Sequence, residues 1–551
     1  MVLGLALLGL AACGAPPKPA PPQAAAPAVP HESLDRTVDR YWDERASRGD
    51  PISPQQIADS LAVERRYLAD VLAVPRAGLD ADSKLTYDIF IRQRELDIEG
   101  FTYPAELLPV NPFDGPWLQL ARSAADTAQH PFRDTKDCED WLRRIDEFPT
   151  WSRQAIANMR EGMRRGYTSP RSLMQRALPL LKLLGEDGSA NVFYLPTRSL
   201  PQSCLTQNFA AAVKDRLLPA YRRLHDFIQD EYLPRARPSV ALGLLPLGPS
   251  WYAFLVKRAT ASALEPKEIH AIGLAEAERL QARLASLPPP ATSAGASPKD
   301  AAELLEGYRL LEAQIQAAMP GLFAAVPPVD FEIRAADPFT PAATPLIYRP
   351  AAPAGGTAVL FVNAAPNGVR RAGVDTPSFM QEAIPGRHYQ SALQQARADL
   401  PKFRRFGTEP AFVDGWALYA ASLGEELGVT RDDEARRGAI LGQLRCTAAL
   451  VADTGLHGMG WTREQAVDYL RKQLSADAAD ADLMIDRFVA MPAEALACKM
   501  GELRIRALRN RVQTALGARF NIREFHSRML EDGAMPLDIL EAKMLRQAPK
   551  P

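Results

Sequence analysis

The sequence predicts a mainly α protein, one large multi-helical body with a small β-sheet late in the chain. Apolar residues recur three and four apart through most of the chain from His31 onward, with charges on the opposite faces. Between 330 and 363 that period gives way to short β-like runs bounded by Pro and Gly. The length of 551 residues, 47% of them apolar, supplies one large core or two lobes and excludes disorder of the whole. The 65 basic residues are balanced by 66 acidic ones, a net charge of -1, so charge gives no reason to propose nucleic acid as a partner.

Val2 to Ala12 is apolar and small and ends in Leu10-Ala11-Ala12-Cys13-Gly14. It resembles the bacterial lipoprotein signal, which implies that residues 1–12 are cut away and that the Cys13 thiol is lipidated. The run is too short to span a bilayer. It departs from that pattern in having no Lys or Arg before it. Residues 13–30 are Pro- and Ala-rich and read as an extended tether that cannot pack a core. The expected address is the cell envelope, with a lipid anchor in the membrane. Gly14, and the lack of an aspartate after Cys13, favour the outer membrane facing the periplasm in a Gram-negative host. Cys138, Cys204, Cys446 and Cys498 remain; in an oxidising compartment their three pairing schemes all stay open, and no CxxC spacing suggests a cysteine zinc site.

Residues 31–551 read as a single large helical domain. Its first helices are SLDRTVDRYWDERA, PQQIADSLAVERRYLADVLAV and SKLTYDIFIRQRELDIEGF. Tyr103 to Trp117 carries four prolines and a glycine, which exclude a regular helix and suggest a packed loop. Helices are expected again at Asp137–Arg165, Arg171–Leu184 and Phe209–Tyr232. Pro246 and Gly248 then form a turn into a helix carrying Tyr252, and another helix follows at Pro266–Leu287. PPPATSAGASP, residues 288–298, is the candidate boundary between two lobes. After a helix at Lys299–Ala318 come the strands Asp330–Arg334, Leu346–Arg349 and Ala358–Asn363. The last of these could pair with an extended substrate or merely cap the helices. Helices close the chain at Asp432–Asp453, Thr462–Lys472, Asp480–Val489, Pro492–Leu516, Ile522–Asp532 and Leu537–Arg546.

The chemistry-bearing stretch is Phe379 to Gly428, with Glu382 and His388 six residues apart and then Asp414-Gly415-Trp416. Pro385 and Gly386 must break any helix between Gln381 and His388. Together with IEGFTYPAELLPVNPFDGP, LPLGPSWYAFLVKRAT, QEAIPGRHYQ, FVDGWALYA, VADTGLHGMGWTREQAVDYL, MPAEALACKMGELRIRALR and FNIREFHSRMLEDGAMPL, this stretch resembles the bacterial domain of unknown function 885 family. That family's usual motif is His-Glu-x-x-Pro-Gly-His-His followed by Glu-Gly-Trp-Ala, and it is taken to be a zinc-peptidase-like site. The resemblance implies a zinc-peptidase-like helical fold, with Glu382 as general base and His388, Asp414 and Gln381 at ligand positions. Zinc hydrolysis needs neutral imidazoles, a carboxylate, an open position for water and a base. Gln381 is a neutral amide and a poor zinc donor, and Arg387 is a permanent cation that repels a divalent ion.

The motif therefore reads as a degraded zinc site, holding zinc or another divalent metal weakly, or none. Arg387 is expected to take over the missing positive charge by pairing with Glu382 or Asp414. Asn363, Arg387, His457 and Tyr419 are candidate substrate contacts. Trp416, Asp453, Arg504, Arg509 and His526 have weaker cases, with core or structural roles as the default. The function expected is that of a lipid-anchored metallopeptidase-like protein, catalytically altered or inactive. The alternatives are an active hydrolase of peptides or related amides that uses substitute ligands, and a peptide-binding scaffold. No G-x-S-x-G elbow is present to suggest a serine hydrolase.

Overall fold

The structure is a computed structural model that describes residues 31–46, 48, 51–125, 134–196, 204, 206–289, 298–324, 330–336, 345–352, 356–364 and 373–547. The signal, Cys13, the tether and residues 290–297 of the candidate lobe boundary lie outside these.

The fold is mainly α with one small sheet, and the local chemistry of the chain sets the helix ends. Ser53 and Gln56 form a reciprocal capping box that starts helix Pro54–Leu72. Asp80 caps Ala81–Gly100 by accepting the Ser83 N–H, and Asp134 caps Thr135–Arg165 by accepting the Asp137 N–H. That long helix stops at Gly166, whose φ of 82° favours glycine. The helix expected at Phe209–Tyr232 is present from Thr206, but it widens into π turns at Val213–Leu217 and Phe227–Tyr232. Each wide turn lies just before a proline, Pro219 or Pro234, whose missing N–H removes a bond from the α ladder and whose ring crowds the preceding turn.

Packing accounts for the Tyr103–Trp117 loop. Tyr103 stacks on Trp251 and Phe254 at ring-centre distances of 5.7 and 5.2 Å. The Asn111 amide donates to the Ala490 carbonyl, and the Trp117 indole donates back to the Asn111 carbonyl. Backbone that forms no ladder is satisfied by side chains here.

One core draws together the first three helices, the sheet and the motif stretch, with Phe379, Met380, Ile384, Tyr389, Phe412, Trp416 and Tyr419 inside it. A second is built from the helices between 110 and 240 and from parts of helices Asp433–Gly458, Arg463–Leu474 and Ala478–Ala490. Helices Pro410–Ala421 and Leu496–Leu516 cross in near backbone contact. A Cβ on Gly415 would lie 2.5 Å from the Gly501 Cα, and one on Gly501 would lie 2.0 Å from the Ala411 carbonyl oxygen. Only glycine fits at this crossing, and it fixes the height at which Asp414 projects.

The sheet has the order β1 (Phe331–Ala335), β3 (Ala358–Val362), β2 (Leu346–Arg349), with β1 parallel to β3 and β2 antiparallel to it. Strand β3, the segment read as a candidate substrate partner, is central and has both edges filled, so among the described residues the edge strand nearer the motif is β2.

Of the three open disulfide schemes, the fold selects Cys138–Cys204 and Cys446–Cys498, each with Cα atoms 6.2 Å apart. A peptide map of the unreduced protein should recover these two cross-linked pairs; finding 138–446 or 138–498 instead would contradict the helix packing.

Candidate functional site

The Thr376–Glu382 helix begins under an Asp375 cap and carries Gln381 and Glu382 in its last turn. The chain then leaves helical geometry through Ala383-Ile384-Pro385-Gly386, with a cis Ile384–Pro385 bond, and re-enters it at Arg387–Ala396. Gly386 lies so close beneath the first helix that a Cβ there would sit 2.1 Å from the Gln381 carbonyl oxygen. The Trp416 indole N–H clamps this corner by donating to the Pro385 carbonyl at 2.9 Å. The expected break between Gln381 and His388 is thus a full corner, and it turns Arg387 back toward Glu382.

The Arg387 guanidinium bridges the two acids. Its Nε is 3.1 Å from Glu382 Oε1, and its Nη1 is 2.5 Å from Asp414 Oδ1. The three side chains retain 18% (Glu382), 26% (Arg387) and 23% (Asp414) of their exposure, so the cluster is only partly open to water. Burial pushes the Glu382 carboxyl above its ordinary range, and Asp414 adds to the rise. Arg387 and the backbone N–H of Tyr348 oppose it. Arg387 is held more strongly protonated than a free arginine because its two carboxylate partners outweigh its desolvation.

His388 is buried and turned toward the sheet. Its Nδ1 lies 3.1 Å from the Tyr348 hydroxyl, and its ring packs 4.5 Å from that of Phe331. Tyr348 therefore touches both motif residues, Glu382 through its backbone and His388 through its hydroxyl. Nothing in the short run LIYR distinguished it beforehand, because the contact spans 40 residues of sequence. Among the described residues no three His, Cys, Asp or Glu side chains gather where they could hold a metal ion. The residues that the resemblance places at ligand positions do not fit zinc. Gln381 is half-buried and offers only an amide, His388 faces the sheet, and a fixed guanidinium lies between the two acids.

The other candidates lie in different surroundings. Asn363 is buried at the end of β3, its backbone N–H donating to the Pro345 carbonyl. The Tyr419 hydroxyl lies 2.9 Å from His526 Nε2 and accepts from Arg509. Because His526 Nδ1 faces the Leu322 carbonyl, that nitrogen carries the proton, and Tyr419 donates to Nε2. Burial holds the His526 pKa down at about 4. His457 is locked likewise: its Nδ1 accepts the Leu242 N–H, its Nε2 donates to the Phe488 carbonyl, and burial lowers its pKa to about 4. Asp453 accepts the Tyr252 hydroxyl and the Ala493 N–H. Arg509 pairs with Glu426, and Arg504 binds Glu541 and the Ala261 carbonyl. The structure therefore brings Glu382, Arg387 and Asp414 together, with His388 alongside through Tyr348.

The sequence matches the model of the family described as bacterial protein of unknown function (DUF885) over residues 38–544. The structure is similar to that of a "putative lipoprotein" from Colwellia psychrerythraea at a TM-score of 0.83, with 22% identity over 94% of this chain and 98% of that one. It is also similar to that of a "putative lipoprotein of unknown function" from Shewanella oneidensis at a TM-score of 0.67, with 15% identity over 93% of this chain and 100% of that one. At these identities the likeness establishes the fold. No curated protein matches the sequence.

Proposed function

The chain belongs to the DUF885 family of bacterial proteins, and we propose that it is a lipid-anchored envelope protein whose metallopeptidase-like pocket binds an extended peptide or related amide without zinc. The observation that carries this reading is the Arg387 bridge between Glu382 and Asp414. A guanidinium with two carboxylate partners supplies the charge balance that a metal gives in the family motif, and it cannot lose its proton to make way for one. The acids consequently persist in a half-open wall, where two imidazole positions have become Gln381 and Arg387.

The outer edge of β2 runs beside this wall, with the Tyr348 N–H aimed at Glu382. An extended segment laid along that edge would gain main-chain hydrogen bonds from β2 groups other than the Tyr348 N–H, which Glu382 takes, and its amine or amide N–H groups would face the carboxyl oxygens of Glu382 and Asp414. Residues Ala12-Cys13-Gly14, the two disulfides and the description of the two solved relatives support the envelope address.

Elemental analysis of the purified chain should find far less than one zinc per molecule, and zinc added and then dialysed away should not remain. A peptide library should show ligands retained uncut. Restoring both imidazoles, Gln381→His with Arg387→His, should bring zinc binding toward one per chain if the corner geometry is kept. Stoichiometric zinc in the unaltered protein, or peptide cleavage abolished by Glu382→Gln, would falsify the reading.

A further inference from the structure

Leu244 is the most exposed large apolar side chain among the described residues, at 70%, and Leu247, on the same turn, is 53% exposed. The turn that carries them is stiff. The Leu245 N–H donates to the Leu242 carbonyl at 3.0 Å, the Gly248 N–H to the Leu245 carbonyl at 2.8 Å and the Trp251 N–H to the Leu247 carbonyl at 2.8 Å. Leu247 has a φ of 58°, in the left-handed region that a leucine occupies only where its surroundings hold it there. Gly248 after it has no room for a side chain, since a Cβ would lie 2.3 Å from the Leu242 carbonyl oxygen. A strained, fully bonded turn thus holds two leucines out in water.

Leu244 lines one hollow together with Met459, itself 39% exposed, and Leu247 lines another together with Arg45, so the turn is the ridge between the two. The hollows carry both signs of charge, Lys267 and Arg165 against Glu265 and Glu106, and so favour no charged ligand. What the ridge offers is apolar surface on a convex edge. The position of the tether says what can cover it. Arg45 sits in the last turn of helix His31–Ala46, which leads from the start of the described chain to the hollow beside Leu247 over about 24 Å. The residues from Cys13 to Pro30 can add at most about 65 Å to that reach. A lipid on Cys13 therefore sits in a bilayer that the ridge can touch.

Resting on the lipid-anchored reading above, we propose that this ridge is a membrane contact: Leu244, Leu247 and Met459 enter the interfacial layer of the bilayer that holds the Cys13 lipid, and so fix which face of the protein lies against it. Three apolar side chains would hold an untethered chain only weakly, but the anchor keeps the ridge at a high local concentration of bilayer. Because the driving force is apolar burial, the contact does not need anionic lipid.

The test uses the full chain, produced with its own signal and reconstituted into phosphatidylcholine vesicles that contain brominated acyl chains. A bimane label is placed on Leu244→Cys, Leu247→Cys or Met459→Cys, one at a time, with Leu310→Cys on helix Ala301–Ala318 as the control, 66% exposed in the parent. The other cysteines of the described chain are paired, so the label finds one thiol. Quenching at 244, 247 and 459 should exceed that at 310 by about threefold or more, and by the same factor when phosphatidylglycerol replaces half of the lipid. Leu244→Asp with Leu247→Asp should bring quenching at 459 down to the control level while the circular dichroism stays that of the parent. Mass spectrometry that finds no lipid on Cys13 would sink the anchor reading and this proposal with it. A lipidated, vesicle-bound chain quenched equally at all four positions overturns the proposal alone. So does quenching at 459 that the folded aspartate variant leaves unchanged, or a dimer in sedimentation that the same variant dissociates, which would give the ridge to a second copy.

Discussion

Replacing Lys499 with methionine is expected to cost about 4 kcal/mol of stability, read as a lowered urea midpoint with an unchanged slope. Lys499 is fully buried on helix Leu496–Leu516, and its ammonium lies 3.2 Å from Glu276 and 3.1 Å from Glu502. Glu276 reaches it from helix Pro266–Ala285 and is also held by Arg279 through two 2.7 Å bonds, while Glu502 is held by Arg506. The row Arg279, Glu276, Lys499, Glu502, Arg506 alternates in sign, and its centre is out of water. Taking out the central cation leaves two desolvated carboxylates facing each other, each with one partner on its outer side. That cost is the desolvation of charge without compensation, which is larger than the net worth of the pairs themselves. The same change combined with Glu276→Gln and Glu502→Gln should therefore recover most of the loss. A single Lys499→Met variant that loses less than about 1 kcal/mol would show that water enters this cluster and that the helices are not locked through it.

How far the sequence discloses this molecule depends on the range of the interaction. The capping residues Ser53, Asp80 and Asp134 and the chain-breaking Pro385-Gly386 pair act within four or five residues, so they can be read directly from the chain. The Glu382–Arg387 contact, five residues apart, belongs to the same class. Asp414, 27 residues from Arg387, enters only through the family pattern. No local pattern marks Lys499 as buried, because its partner Glu276 lies 223 residues away. The neutral states of His457 and His526 depend on carbonyls at Phe488 and Leu322, which no local pattern could nominate. The role of Tyr348 was hidden for the same reason. A four-residue strand carries almost no signal about which face meets a distant helix.

Arg387→Met is the second large effect expected, and its pH dependence separates a charge bridge from mere packing. Near neutral pH the variant should lose about 2 kcal/mol, less than a fully buried pair would, because the three groups are partly open to water. The loss has a defined sign with pH. The Glu382 pKa already lies above its ordinary 4.5 in the parent, where burial raises it and Arg387 restrains the rise. Removing the arginine lets it climb further while the unfolded chain keeps the ordinary value, so the variant's native state binds the extra proton over a wider pH range. Its stability is then fully present below about pH 4.5 and falls as the pH rises through the new folded value. The difference between parent and variant should accordingly close on acidification and open toward neutral pH. Adding Glu382→Gln to the methionine variant should restore much of the stability at pH 7 and flatten the profile, since the carboxyl that needs the arginine is gone. Arg387→Lys should recover less than the parent, because one ammonium cannot present separate donors to Glu382 and Asp414. A deficit that stays constant with pH, unrelieved by Glu382→Gln, would mean that Arg387 supports the corner only by filling space, and the bridge would then be no substitute for a metal's charge.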